Sequence, residues 1–298
     1  MMIDVNKLNK FIKSNKIILI VLFIVVILVF LFIKILKNEN YINFESNIET
    51  VKNPYIKSDI GNVDIYWQKQ SSEFMTNNYP ANFDFDFSIK EDIIAKALTL
   101  PQGYCIIDCG AHIGDGSIPI AHALKYNNRE DIIVYAIDPS KYKCDFINFI
   151  KKKNNLNNLI VLNYGLSNMT NTYKSLQQSG INTGGWDWII DNDATITDEN
   201  KDLLNKFVKL DDLVKDNIIT QSIGIIHFDV EGMEKEALQG SINTITKYKP
   251  YMSIENNIKS GKDNNGNDNN KNNEYFLQFL PKGYKYLYNK NENNVLAY

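Results

Sequence analysis

Hydrophobic and polar positions change character sharply along this chain. From Ile17 to Ile33 every residue is apolar, with Lys13 and Lys16 before the run and Lys34 and Lys37 after it. Residues 17–36 are therefore expected to form a single-pass transmembrane anchor behind a short N-terminal tail, 1–16. The apolar run is at the short end of the roughly 17–25 residues a spanning helix needs. A buried core helix is seldom apolar on every face, and no small-residue cleavage site follows, as it would in a secretory leader. Residues 37–60 are polar and poor in periodicity, which reads as a linker.

Beyond the linker, 61–102 reads as an N-terminal helical extension. Ser88-Ile-Lys-Glu91 has the form of a capping box opening a helix with Ile93, Ile94, Ala97 and Leu98 on one face,. Pro101 and Gly103 close it. Alternation then begins. Tyr104–Asp108, Ile132–Ile137 and Leu159–Asn163 read as buried strands, and Ser117–Tyr126 and Lys141–Lys153 as the helices between them. A βαβαβ series of apolar strands predicts a parallel sheet with helices on both faces. From Leu166 to about Thr220 the pattern weakens into a loop or hairpin excursion around Trp186 and Trp188. It resumes with a strand at Ile223–Asp229, a helix from about Met233 to Lys247 and a strand at Pro250–Glu255. Residues 261–273 are an Asn-rich tract expected to be a disordered surface loop. A helix at Glu274–Leu280 and a terminal hairpin, Tyr284–Tyr288 with Asn294–Tyr298, complete the reading.

Composition narrows the function classes. A hydrophobic fraction of 44% and an aromatic fraction of 12% suffice for a real core, and a net charge of −3 gives no electrostatic case for nucleic acid,. Cys105 and Cys109 lie about 13 Å apart on an extended strand, beyond disulfide reach. With Cys144 they read as buried fillers, and no metal-type spacing joins them to His112, His122 or His227. The lysines before the apolar run favour a cytoplasmic N-terminus, with the globular part across the membrane. Unpaired cysteines fit a reducing side equally well.

The candidate chemistry lies at Asp108-Cys-Gly-Ala-His-Ile-Gly114, a strand end running through a glycine turn into a helix. The turn lacks the G-x-G-x-x-G order of a dinucleotide fingerprint and the G-K-[ST] of a phosphate loop. An acid two residues before the first glycine suits a cofactor carrying positive charge, such as S-adenosylmethionine. Asp138 ends the second strand, where a carboxylate can accept hydrogen bonds from ribose hydroxyls. Each acid taken singly is equally a helix cap; the pair at two strand ends favours a cofactor site.

Several motifs resemble those of the FkbM-type methyltransferases. These are Ile106-Ile-Asp-Cys-Gly-Ala-His-Ile-Gly114, Ala136-Ile-Asp-Pro-Ser140, Val208-Lys-Leu-Asp-Asp-Leu213, His227-Phe-Asp-Val-Glu-Gly-Met-Glu234 and Lys249-Pro-Tyr-Met-Ser-Ile-Glu255. The likeness runs from about Gly103 to Glu255 and makes 103–298 the methyltransferase domain. It implies a class I Rossmann-like three-layer α/β sandwich, with a mostly parallel seven-stranded sheet whose last strand is antiparallel. It also implies S-adenosylmethionine as cofactor and O-methylation of sugars, glycans or other hydroxylated metabolites. On this resemblance Asp108, Gly110, Ala111, His112, Gly114, Asp138, Pro139 and Leu166 are the cofactor-binding candidates. His112 stands where the family usually has Asn, and His227 where Lys is common.

Methyl transfer from a sulfonium is an in-line displacement that needs an aligned, deprotonating acceptor oxygen. Asp229 is the candidate base or orienter and Glu231 a ligand for substrate hydroxyls, although both equally complement the dipole of the helix that follows. His227 is a further candidate base, or a buried structural histidine. Glu234, Glu255, Trp186 and Trp188 are the candidate substrate contacts, with hairpin packing the commoner role for the tryptophans. Two other readings stay open: a membrane-tethered binding module that has lost catalysis, and an enzyme using another nucleotide.

Overall fold

A computed structural model describes residues 44–45, 48–53, 64–68, 87–177, 188–191, 204–255, 276–289 and 294–298. The anchor at 17–36, the Asn-rich tract at 261–273 and Trp186 lie outside the described residues, and among those described no helix is long and apolar enough to cross a membrane. The chain divides into Met1–Ser46, of which only Phe44 and Glu45 are described, and Asn47–Tyr298.

Within the second unit, β1 (Ile48–Lys52) and β2 (Asp64–Gln68) pair antiparallel, followed by α1 (Phe87–Ala97). Then come β3 (Tyr104–Cys109), α2 (Ser117–Tyr126), β4 (Ile133–Ile137), α3 (Lys141–Lys153) and β5 (Leu159–Leu162). The excursion holds β6 (Gly165–Leu166), β7 (Thr172–Gln177), β8 (Trp188–Asp191) and β9 (Leu204–Val208). The chain returns through α4 (Leu210–Lys215), β10 (Ser222–Phe228), α5 (Glu234–Gln239), α6 (Ile242–Tyr248) and β11 (Tyr251–Glu255). It ends with a 3-10 turn at Phe276–Phe279, β12 (Tyr286–Asn289) and β13 (Asn294–Ala297).

Among the described residues the main sheet has seven strands in the order β12-β13-β11-β10-β3-β4-β5. Strands β5, β4, β3, β10 and β11 are parallel, while β13 runs antiparallel to both neighbours. This is the expected arrangement, with the antiparallel strand at the end of the sequence. From β3 the chain first builds outward through β4 and β5, then restarts on the other side with β10. The strand order therefore reverses between β3 and β10, the position at which open α/β sheets bind ligands.

Alternation along β3 assigns the faces. Cys105, Ile107 and Cys109 join one apolar cluster with Leu210 and Leu213 of α4, Ala237 and Leu238 of α5 and Ile245 of α6. Asp108 points the other way, to Ser117 at the start of α2. The three cysteines are buried and free, as their spacing implied.

Several boundaries depart from expectation for identifiable reasons. The linker is not irregular throughout, since β1 lies inside it. The chain just after β1 is fixed to α2 by Asn53, whose buried amide donates to Pro119 O (3.2 Å) and meets His122 Nδ1 (3.2 Å). The single helix expected over Met233–Lys247 is two, broken at Gly240-Ser241. A Cβ on Gly240 would stand 2.0 Å from the carbonyl oxygen of Ser167, so the backbone from β6 packs directly on the break. Asp211 then restarts the helix from outside, accepting the amides of Asn243 (3.1 Å) and Thr244 (2.8 Å),. The excursion is a second, four-stranded sheet in the order β6-β9-β7-β8. Glu274–Leu280 shows only the 3-10 turn among its described residues.

Candidate active site

The turn after β3 is held by backbone bonds to both neighbouring strands. Gly110 N and Ala111 N both donate to Ile137 O at the end of β4, at 2.9 and 3.0 Å, and Asp229 N donates to Cys109 O (2.9 Å) beyond the end of β10. Gly110 has φ +84°, and a Cβ there would stand 1.6 Å from the Asp229 carbonyl oxygen. Only glycine permits this approach, which brings the turn and the β10 end into direct contact. His112 is also left-handed, at φ +49°.

Two acids brace the turn. Asp138, 5% exposed at the end of β4, accepts His112 N on Oδ2 (2.9 Å) and Ser140 N on Oδ1 (2.8 Å). Asn163 Nδ2 donates to the carbonyls of Asp138 (3.1 Å) and Pro139 (2.7 Å) and fixes the corner that follows. Asp108 accepts the Ser117 hydroxyl and lies against Gly116, at the N-terminus of α2. Burial raises its carboxyl above the ordinary range, and the neighbouring His227 and the Ser117 hydroxyl oppose that rise. His227 is the cross-strand partner of Asp108, and its Nδ1 is buried with no hydrogen-bond partner among the described residues.

The loop after β10 carries the remaining acids. Glu234, 3% exposed, turns back to accept Val230 N (3.2 Å) and Gly232 N (3.0 Å) on Oε1. This clamps the loop and forces Glu231 into the left-handed region, at φ +54°. The Glu231 side chain reaches solvent. Partial burial of its carboxyl, then the charges of Asp229 and Glu234, nevertheless push it up to about 8, against the opposing charge of Lys143.

The Methyltransferase FkbM domain matches residues 108–287, more than half of the chain, beginning at Asp108 and ending in β12. The chain belongs to the FkbM methyltransferase family. Membership makes it a methyltransferase with S-adenosylmethionine as cofactor. Among solved structures it is similar to an FkbM methyltransferase from Methylobacillus flagellatus, at 17% identity and TM-score 0.42, over 65% of this chain and 43% of that one. It is also similar to a SAM-dependent methyltransferase from Aquifex aeolicus, at 13% identity and TM-score 0.38, over 76% and 92% of the two chains. A putative rRNA methylase from Clostridium thermocellum is similar at 11% identity and TM-score 0.40, over 72% and 94%. The chain thus spans less than half the length of the Methylobacillus protein. No curated protein matches it.

The donor set suits the FkbM cofactor. Asp108, Asp138 and Asp229 stand at or just beyond the ends of three adjacent parallel strands. Carboxylates in that position favour a cationic group and hydroxyl donors and would repel a pyrophosphate. Asp138 and the backbone of Gly110, Ala111 and His112 are the groups that would hold the nucleoside end. Asp108, as buried as Asp138, differs in its partner: it accepts the Ser117 hydroxyl at the start of α2 and so ties the turn to that helix.

Other candidates separate by position. Gly114 has φ +87° and its amide bonds to Ala111 O (2.6 Å), closing the turn. The Leu166 side chain lies in the apolar cluster with Cys109, Ile137 and Phe228. Glu255 ends β11, opposite Asn294 of β13 and two strands from β3. Trp188 begins β8 in the second sheet. Glu234 is turned into its own loop, so the structure gives it a shaping role there instead of an open substrate-facing position. Sequence reasoning did not single out Ser117, Ser140, Asp115 or Lys90. A hydroxyl opening a helix after a glycine turn could have flagged Ser117, but nothing local flags Lys90, which arrives from α1.

Proposed function

We propose that this FkbM methyltransferase transfers a methyl group to a hydroxyl of a sugar, glycan or other hydroxylated metabolite. We further propose that residues 17–36 tether it to the bilayer, with the N-terminus on the cytoplasmic side. The observation supporting the first reading is the abutment of the Gly110 turn on the Asp229 backbone, from which we take the Asp229 carboxylate as the group that serves the acceptor. S-adenosylmethionine supplies an electrophilic methyl on a sulfonium whose sulfur is the leaving group. The Asp229 carboxylate accepts the acceptor's O–H, directs its lone pair along the displacement line and takes the proton as the O–CH3 bond forms and the S–CH3 bond breaks. Glu231, with its carboxyl near 8, is largely protonated at neutral pH and presents both a donor and an acceptor to a neighbouring substrate hydroxyl,. Glu255, at the end of β11, is a further candidate acceptor contact, with Trp186 and Trp188 as candidate ring platforms.

Transfer of labelled methyl from S-adenosylmethionine to a panel of glycans tests this. Asp229→Asn is expected to reduce turnover by about 10²–10⁴ while S-adenosylhomocysteine still binds. Asp138→Ala should lose cofactor binding itself. Full turnover by Asp229→Asn would remove the base assignment. Extraction of the full-length protein by carbonate, instead of detergent, would remove the anchor.

A further inference from the structure

Lys90 is an unusual lysine. It comes from α1, outside the matched domain, yet it is 5% exposed and its Nζ lies 3.2 Å from Asp115 Oδ2 within the glycine turn. Asp115 Oδ1 lies 3.8 Å from His112 Nδ1, and His112 N in turn donates to Asp138 Oδ2 at 2.9 Å. A connected polar path therefore runs from α1 through Asp115 and His112 to the acid at the end of β4. The same cation also acts on Asp108, on the other side of the turn.

Stability alone gives little reason for this pair. Desolvating a lysine and an aspartate costs about as much as their attraction returns, and apolar residues of similar volume often serve as well. What this pair does supply, with its lysine buried and its aspartate partly so, is a fixed geometry. The group it fixes is His112, whose Nε2 is buried with no hydrogen-bond partner among the described residues. One ring nitrogen is held near Asp115 and the other has a hydrogen bond still to make. Helix α1 is secured within by Asp92, which accepts the Tyr251 hydroxyl, and just past its end by Arg129, which donates to the Leu98 and Leu100 carbonyls (2.6 and 2.8 Å). It is thus a rigid mount for Lys90.

We propose that Lys90 is a positioning residue for the cofactor: through Asp115 it sets the His112 ring and backbone at the glycine turn, making the N-terminal helix part of the donor site. This rests on the reading of that turn as the S-adenosylmethionine site.

The test is calorimetric titration of the full-length protein with S-adenosylhomocysteine, alongside thermal unfolding. Lys90→Met is expected to weaken binding about tenfold and lower the melting temperature, since the partly buried Asp115 loses its cation,. The double variant Lys90→Met/Asp115→Leu removes both charges, so it should recover the melting temperature and keep the roughly tenfold loss of affinity. If Lys90→Met does not fold, the double variant carries the comparison. Combining Lys90→Met with His112→Ala should cost little more than either change alone, because both act through one ring. Wild-type affinity in the double variant, or fully additive losses with His112→Ala, would overturn the inference. Absence of binding by the wild-type protein would instead defeat the cofactor-site reading on which it depends.

Discussion

The carbonyl oxygen of Asp229 occupies the space beside Gly110 where a side chain would begin, 1.6 Å from the position of a Cβ. The glycine turn and the Asp229 backbone are therefore one packing unit, and the glycine is required for two reasons, the contact and its φ of +84°. Gly110→Ala should destabilise the protein by more than about 4 kcal/mol, the range reserved for a backbone collision. Gly103→Ala is the control. It has a similar φ, +79°, but nothing within 4 Å of its Cβ, so it should cost only the left-handed strain of about 1–2 kcal/mol,. Urea unfolding of the two variants checks the difference, and equal costs would show that the contact contributes nothing.

Asp108 and Ser117 form the second testable pair. The aspartate is buried and accepts the serine hydroxyl, so Ser117→Ala leaves a buried acceptor one donor short, at a cost of about 1–3 kcal/mol,. Burial raises the Asp108 carboxyl in the folded state, so the folded protein holds this proton more tightly than the unfolded chain. Its contribution therefore falls as pH climbs from the unfolded value through the folded one. Removing the Ser117 hydroxyl takes away one influence opposing the rise and should steepen that decline. Thermal unfolding of both proteins across the acidic range measures it, and parallel curves would contradict it.

How much of this was legible in the sequence follows from where the information lies. The periodicity of Ser117–Tyr126 and Lys141–Lys153 predicts the bounds those helices have, because local periodicity and flanking turns decide a helix between buried strands. The glycine turn and the acids at Asp108, Asp138 and Asp229 were legible because strand ends in a parallel sheet converge on one edge. The break at Gly240 was not, since it is imposed by the Ser167 carbonyl far away in sequence. Strand β1 was hidden for a similar reason: its support comes from β2 and from Asn53 on α2, not from its own pattern. The roles of Glu234 and Lys90 were invisible because direction and partner are decided in three dimensions. A carboxylate two residues after a glycine looks available until it folds back onto the loop amides.

The hairpin that precedes the domain should release in acid. His122 is 8% exposed, and burial with the nearby Lys125 holds its imidazole down at about 4, while its Nδ1 meets the Asn53 amide. A base whose folded value is depressed contributes stability that is present above its unfolded value, near 6.5, and lost as pH falls toward 4,. The loss should reach roughly 3 kcal/mol. His122→Leu should flatten the stability profile between those values, and limited proteolysis should find the β1–β2 segment opening first in the wild type. Unchanged slopes in His122→Leu would exclude the histidine as the source.

Glu231 makes the opposite prediction at the other end of the scale. Its carboxyl is pushed up to about 8 from an ordinary 4.5 by partial burial and by Asp229 and Glu234. The folded state therefore keeps a proton that the unfolded chain gives up, and stability drains away as pH rises from 4.5 through 8. Because the side chain reaches solvent, salt will screen part of the effect. Glu231→Gln cannot ionise, so its stability relative to wild type should improve steadily over that window and level off above 8. Melting temperatures at half-unit pH steps, in low and moderate salt, provide the measurement. If substrate hydroxyls bind the neutral acid, acceptor KM in the wild type should also rise above pH 8 while Glu231→Gln shows no such rise. A pH-independent difference between the two proteins would place Glu231 outside the coupled acid group.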